Sequence, residues 1–373
     1  MAIGASAGGL EAFIEFFDAM PASSGMAFVL IQHLPPERES LVAEILGQHT
    51  RMPVQQVRQG MAVEPDHVYV IRPGHTLTVR EGILHLGEPL EKRGHRRPVD
   101  DFFRSLAEEQ RERSISIVMS GMGSNGSAGA QVVKAVGGLC IAQEPESAKF
   151  PSMPRQLMEL KIADFILRPA EMPEVLLRYR SHPYARGETR DPAPPERQAL
   201  NEVLGILKAR VRHEFNGYKK PTVFRRVQRR MGLNQLVELD DYVRLLRQNP
   251  TEVVALADDL MIHVTGFFRD QTAWEALREH VIVPLVKERP EHATIRAWVS
   301  ACSSGEEGYT LGMLLLEAAR ETGKRFDIKI FATDTAERSL SHARNGLYPA
   351  GIEARFPPNA SSSSSTAKMA FTG

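Results

Sequence analysis

A chain of 373 residues exceeds one ordinary hydrophobic core and implies two or three domains. Its 42% hydrophobic and 25% charged residues are those of a soluble globular protein, and 46 basic residues balanced by 46 acidic ones leave no global field for nucleic acid or an anionic membrane. Two distant cysteines, Cys140 and Cys302, exclude a disulfide framework; without a secretory signal or a run of about 20 apolar residues, a cytoplasmic protein with no membrane insertion is expected.

Residues 1–180 alternate between strand and helix periodicity. Strands are predicted at 1–4, 26–31, 54–57, 67–71, 115–119, 139–142 and 163–167, with a hairpin at 76–79 and 83–86 turning on Glu81-Gly82. Helices are predicted at 9–20, 40–48, 99–109, 128–136 and 153–160. The near-continuous apolar runs at 26–31 and 115–119 read as strands buried on both faces, so the fold class is α/β, a doubly wound parallel sheet. Ligands of such sheets sit beyond the carboxyl ends of the strands, and Ser6, His33 and Asn125 each fall just past one. Ser6 lies in Ile3-Gly4-Ala5-Ser6-Ala7-Gly8-Gly9-Leu10, a strand-to-helix turn suited to cradling a phosphate or to stabilising an oxyanion beside a serine nucleophile. A nucleotide-binding reading falls because no lysine follows the glycines and the P-loop spacing is absent.

Residues 181–197 are rich in Pro, Arg and acids and read as a linker. From Gln198 the pattern is helical, at 200–211, 221–231, 239–247 and 250–261, giving a small all-helical domain over 198–270. Arg225, Arg226, Arg229 and Arg230 read either as a solvated helix face or as a partner-binding surface. A helix at 271–288, a strand at 295–299, a helix at 306–322, a strand at 328–332 and a helix at 337–345 form a partial Rossmann-like unit over 271–350. Residues 351–373 hold a serine run with no means of burying a core and are expected to be disordered.

Five separated stretches, Ile3–Leu10, Gln32–Pro35, His95–Leu106, Ser120–Gly126 and Ala142–Pro154, resemble in order and spacing the chemotaxis protein-glutamate methylesterase, CheB. That resemblance implies a serine hydrolase of glutamyl methyl esters, with glutamine deamidation as a companion reaction, needing no cofactor and no metal. Ser6 matches its nucleophile, His33 its general base, and the backbone amide of Met122 its oxyanion donor. Asn125 stands where the family has aspartate. An amide can accept the histidine's hydrogen bond but carries no charge, so a reduced rate is expected; Asp66, Asp100 and Asp101 are other candidates for the missing carboxylate.

The second half resembles the chemotaxis receptor methyltransferase, CheR, in Phe215–Lys220, Phe224–Arg230, His263–Asp270 and Ala301–Tyr309. This implies S-adenosylmethionine as cofactor, with Thr265 and Arg269 contacting cofactor or glutamate, and Glu306 and Asp334 holding its methionyl or ribosyl portions. Two departures are His263 for asparagine and Gly308 for proline. The family's sheet needs further strands after Asp334, so an incomplete domain with weak or absent cofactor binding is expected. No receiver domain precedes Met1, and control by phosphorylation of this chain is not expected. The expected partner is a methylated chemoreceptor or other sensory protein, not nucleic acid. The alternative is a catalytically weak signalling scaffold.

Overall fold

The computed structural model describes residues 1–32, 41–88, 97–188, 191–211, 213–261 and 265–348. The chain falls into two compact units, Met1–Ile262 and His263–Gly373. Strands of the first unit are β1 (Ala2–Ala5), β2 (Phe28–Gln32), β3 (Val54–Gln56), β4 (Met61–Ala62), β5 (Val68–Val70), β6 (Thr76–Arg80), β7 (Ile83–Gly87), β8 (Ile115–Val118), β9 (Leu139–Gln143) and β10 (Phe165–Leu167). Its helices are α1 (Gly9–Ala19), α2 (Val42–Leu46), α3 (Pro98–Gln110), α4 (Ser127–Ala135), α5 (Ser152–Glu159) and α6 (Met172–Ser181), then α7 (Pro194–Val211), α8 (Lys220–Leu233), α9 (Leu239–Gln248) and α10 (Pro250–Leu260).

Seven strands pair in parallel in the order β10-β9-β8-β1-β2-β5-β3. The chain leaves β1 toward β2 and later returns to β8 on the other side of β1, so the switch point lies between β1 and β8. Both sheet faces are covered. Ile3, Leu30 and Ile117 pack with Phe13, Phe16 and Phe17 of α1 on one face. Ala2, Val29, Ile31 and Val118 meet Phe102 and Phe103 of α3 on the other. That second packing is close: a Cβ at Gly4 would stand 2.3 Å from Val99 Cγ1, so this strand position has room for glycine alone.

The four helices α7 to α10 enclose their own core, built on Leu200, Val203, Leu207, Phe224, Val227, Tyr242 and Leu256. In the stretch read as a linker, Pro183–Arg186 form a 3-10 turn, and the buried Tyr184 donates its hydroxyl to Gly137 O at 3.0 Å. The arginine run departs from both readings of its sequence. Arg225 is exposed, but Arg226 and Arg229 are buried and Arg230 bridges Glu252 inside the helices at 2.5 Å. Arg229, with no exposed surface, pairs with Asp164 at 2.6 Å and Asp259 at 2.5 Å. Periodicity could not separate a wet face from a dry one, because the partners of these arginines lie 22 to 92 residues away.

The second unit contains α11 (Gln271–Leu277), α12 (Val283–Glu288), β11 (Thr294–Ser300), α13 (Glu306–Thr322), β12 (Asp327–Thr333) and α14 (Glu337–Asn345). A π turn at Arg278–Ile282 joins the first two helices. Strands β11 and β12 pair in parallel, and among the described residues they are the whole sheet of this unit. Ile295 and Ile330 pack under Leu314, Leu315 and Ala318 of α13. Trp298 and Phe331, opposite each other in register, are exposed on the other face. No helix among the described residues is long and apolar enough to cross a membrane.

Candidate functional site

Small residues shape the serine turn. Gly8, at φ +71°, is the left-handed cap before α1, and a Cβ there would lie 2.7 Å from Ser120 Oγ and 2.9 Å from Lys149 Cβ. The turn then folds back on itself: Gly9 N donates to Ser6 O at 3.0 Å, and Gln32 Nε2 to the same oxygen at 3.2 Å. Ser6 is thereby half-buried at the end of β1, fixed through its backbone while its side chain makes none of these bonds. His33 lies outside the described residues; Gln32, which precedes it, ends β2 opposite Ala5.

Across the switch point, Ser6 N donates to Ser120 O at 2.9 Å. Ser120 is itself locked: its Oγ donates to Ala7 O at 2.9 Å and accepts from Phe150 N at 3.0 Å, and its N–H donates to Gln143 Oε1 at 2.8 Å. Gly121 N is taken by Phe150 O, whereas Met122 N meets no acceptor among the described residues. A Cβ on Gly121 would stand 2.1 Å from Met153 Sδ and 3.0 Å from Ser6 Cβ, so the loop runs directly beside the serine. The structure thus brings Ser6 together with the loop bearing Met122 and Asn125.

Asn125 Oδ1 accepts from Asp100 N at 3.2 Å. Asp100 is fully buried, and its Oδ1 accepts from Gly126 N at 3.0 Å and Gly129 N at 2.7 Å, capping α4. Its Oδ2 meets Arg97 at 3.4 Å. Of the alternative carboxylates, Asp100 is therefore engaged beneath the loop. Asp101 pairs with Arg104, and Asp66 caps Ser24 and Gly25 at the amino-terminal end of β5. Neither cysteine offers a nucleophile: burial pushes the Cys140 thiol up to about 12, and burial with Asp334 nearby pushes Cys302 to about 11.

Gln32, Ser120 and Gln143 carry the frame of this site and were given no role from sequence. Their signal was a polar residue closing a buried apolar strand. Buried polar groups need partners: Ser120 finds them in Gln143, Ala7 and Phe150, and Gln32 Nε2 in Ser6 O.

In the second unit the turn after β11 takes three positive φ angles, at Ala301, Ser303 and Gly305. Asp334, just past β12, holds it: Oδ2 accepts from Ser303 N at 2.7 Å and Oδ1 from Ala336 N at 2.8 Å. Glu306 accepts from Ser304 Oγ at 2.7 Å, and Thr265 Oγ1 donates to Glu307 Oε2 at 2.5 Å. Thr265 and Glu306 therefore meet at the first turn of α13, while Asp334 holds the turn that precedes it. Arg269 follows in the same segment, its N–H donating to Gly266 O at 3.2 Å. Glu307 is the partner that the reading of Glu306 passed over.

The folds define a doubly wound α/β domain with the Ser6 turn at its switch point, then a helical bundle, then a Rossmann-like unit with an acid after its second strand. Residues 1–176 belong to the CheB methylesterase family; residues 198–261 match the all-alpha domain of CheR methyltransferase, and residues 263–369 its SAM binding domain. An uncharacterized 104.1 kDa protein of Rhodobacter capsulatus is 34% identical over 85% of this chain and 35% of its own length. A protein-glutamate methylesterase/protein-glutamine glutaminase of Paraburkholderia xenovorans is 34% identical over 50% of this chain and 51% of its own. The CheB methylesterase catalytic domain of Thermotoga maritima is 30% identical, covering 47% of this chain and 95% of that one, with a TM-score of 0.44. The chain spans between about a third and a half of the length of these curated relatives.

Proposed function

We propose that the first unit hydrolyses glutamyl methyl esters of a chemoreceptor or other sensory protein in the cytoplasm, as the names of its relatives suggest. Ser6 Oγ attacks the ester carbonyl while His33 takes its proton. The oxyanion sits against Met122 N–H and the start of α1, and its collapse expels methanol carrying the proton from His33. Water, deprotonated by the same histidine, then cleaves the acyl-serine and releases the glutamate carboxylate. A glutamine side chain follows the same course with ammonia as leaving group. Asn125 supplies no charge to stabilise the imidazolium, which slows the cycle.

The observation that supports this reading is the bond from Ser6 N to Ser120 O at 2.9 Å, which ties the serine turn to the loop of Met122 and Asn125. Methanol release from a methylated receptor fragment tests it. Ser6→Ala should abolish release; equal rates in both proteins would sink the nucleophile assignment. The neutral Asn125 favours a second reading, a scaffold that binds the receptor and turns it over poorly, in which Ser6→Ala changes nothing that matters.

For the second unit the proposed ligand is S-adenosylmethionine, at Thr265, Arg269, Glu306 and Asp334. The turn held by Asp334 would meet the ribosyl portion, and the acids at the start of α13 the methionyl ammonium. Calorimetry with S-adenosylhomocysteine should give weak heats that Asp334→Ala removes.

A further inference from the structure

Helix α4 is gripped at both ends by buried charge. Asp100 takes the amides of Gly126 and Gly129 at its start. At its finish Arg226 donates to Ala135 O at 2.5 Å and Lys134 O at 3.5 Å, while Arg229 donates to Gly137 O at 3.1 Å and Gly138 O at 2.8 Å. An anion at the amino end and cations at the carboxyl end both complement the helix dipole. The two ends belong to different parts of the unit. The loop of Met122 and Asn125 enters α4 at the first, and the arginines at the second come from α8 of the four-helix segment.

Arg229 also binds strand β9 through Asp164, which accepts from Cys140 N at 3.0 Å and Lys134 Nζ at 3.1 Å. Its remaining partner, Asp259, belongs to α10. Leu233 of α8 enters the core on the α1 face of the sheet with Tyr179 and Tyr184. The helical segment is therefore joined to the sheet domain by charge, by backbone capture and by shared core.

We infer that the four-helix segment is a positioning element of the esterase site, acting through Arg226 and Arg229 on α4 and thereby on the loop bearing Met122 and Asn125. A nine-residue helix is a rod of about 13 Å, so displacement at its carboxyl end is carried to the loop at the other. Misplacing a catalytic loop by an ångström costs up to about 10²-fold in rate. This inference rests on the esterase reading of the site.

The test uses the full chain carrying Arg226→Met, Arg229→Met or Arg230→Met. Arg226→Met removes bonds to α4 and leaves no orphaned carboxylate. Arg230→Met breaks the pair with Glu252 and a 3.9 Å approach to Asp259, both within the helices, and removes no bond to α4. Two readouts are taken: kcat and KM for methanol release, and hydrogen exchange of the Gly126 and Gly129 amides. Arg226→Met should lower kcat about 10-fold at unchanged KM and speed both amides, with Arg229→Met doing so more strongly. Arg230→Met should lower the melting temperature and move neither readout. If Arg229→Met fails to fold, Arg226→Met decides. Wild-type kcat and exchange in Arg226→Met, or equal changes in Arg230→Met, overturn the inference. Exchange needs no turnover, so a wild-type chain that releases no methanol would strike the esterase reading and leave the coupling to α4 to be decided by exchange.

Discussion

The amide N–H of Asp100 donates to the side-chain oxygen of Asn125 at 3.2 Å, so the residue that the sequence resemblance sets at an aspartate position is held by its oxygen from behind. With Oδ1 so turned, the side chain presents its NH2 on the other side, and a histidine facing it would be driven to accept rather than donate. That is the wrong tautomer for a base whose other nitrogen must take the serine proton. An aspartate would keep the bond to Asp100 N and offer a second oxygen. Asn125→Asp should therefore raise kcat for methanol release by between about 10 and 10⁴-fold. An unchanged kcat would remove Asn125 from the catalytic set.

Asp100 secures the same loop from below. Asp100→Ala leaves the amides of Gly126 and Gly129 unpaired in a dry site, at a cost of about 3 kcal/mol. Urea unfolding should show that loss, with esterase activity falling further than stability alone explains. Asp100→Asn, retaining one acceptor, should lie between this variant and the natural chain.

Gly8→Ala tests the serine turn. The left-handed φ of +71° and the 2.7 Å approach to Ser120 Oγ together oppose any side chain, costing about 1–3 kcal/mol. The added methyl should also break the Ser120–Ala7 bond and lower kcat, whereas Gly82→Ala, also at positive φ but with open space around it, should leave kcat unchanged.

His182 makes the docking of the helices sensitive to pH. Its Nδ1 accepts from Tyr184 N at 3.2 Å, so Nε2 carries the proton donated to Leu236 O at 2.9 Å. Burial holds its pKa below the ordinary value, with Arg186 adding to the shift and the bond to Leu236 opposing it. A depressed histidine favours folding above its unfolded pKa of about 6.5, and that contribution is lost as pH falls through the folded value. Melting temperature should decline from pH 7 to pH 5 and the decline should shrink in His182→Asn.

Asp164 extends the dependence further into acid. Burial disfavours its charge, but Arg229 and Lys134 outweigh burial and hold the carboxyl below its ordinary range. Its contribution is complete above about pH 4 and is lost below, as pH falls through the folded value. Asp164→Asn should flatten the acid limb of the unfolding curve and leave the limb governed by His182 intact.

Much of the fold was legible because its signals are local. Apolar runs such as Phe28–Gln32 and Ile115–Val118 name buried parallel strands, and the 3.6-residue spacing of Phe13, Phe16 and Phe17 names the helix covering them. Most expected strand and helix centres stand within a residue or two of the observed ones; α7 instead starts at Pro194, inside the stretch read as a linker, α6 was not expected, and the helix expected over 271–288 is interrupted by the π turn at Arg278–Ile282. The strand ends that carry the candidate residues Ser6, Met122 and Asn125 were legible for a related reason, since each residue follows a readable strand. His33 rests on the sequence alone.

By itself, then, the sequence determined the α/β, helical and βαβ segments and the chemistry available at the strand ends, because hydrogen bonding and burial impose their periods on a continuous stretch of chain. Only the tertiary structure decided what those residues touch. It put Asp100 behind Asn125, set Gln32 and Ser120 around the serine turn, and buried Arg229 between Asp164 and Asp259. Such choices belong to pairs far apart in the chain, where the low dielectric of the interior makes a charge costly unless its particular partner is present.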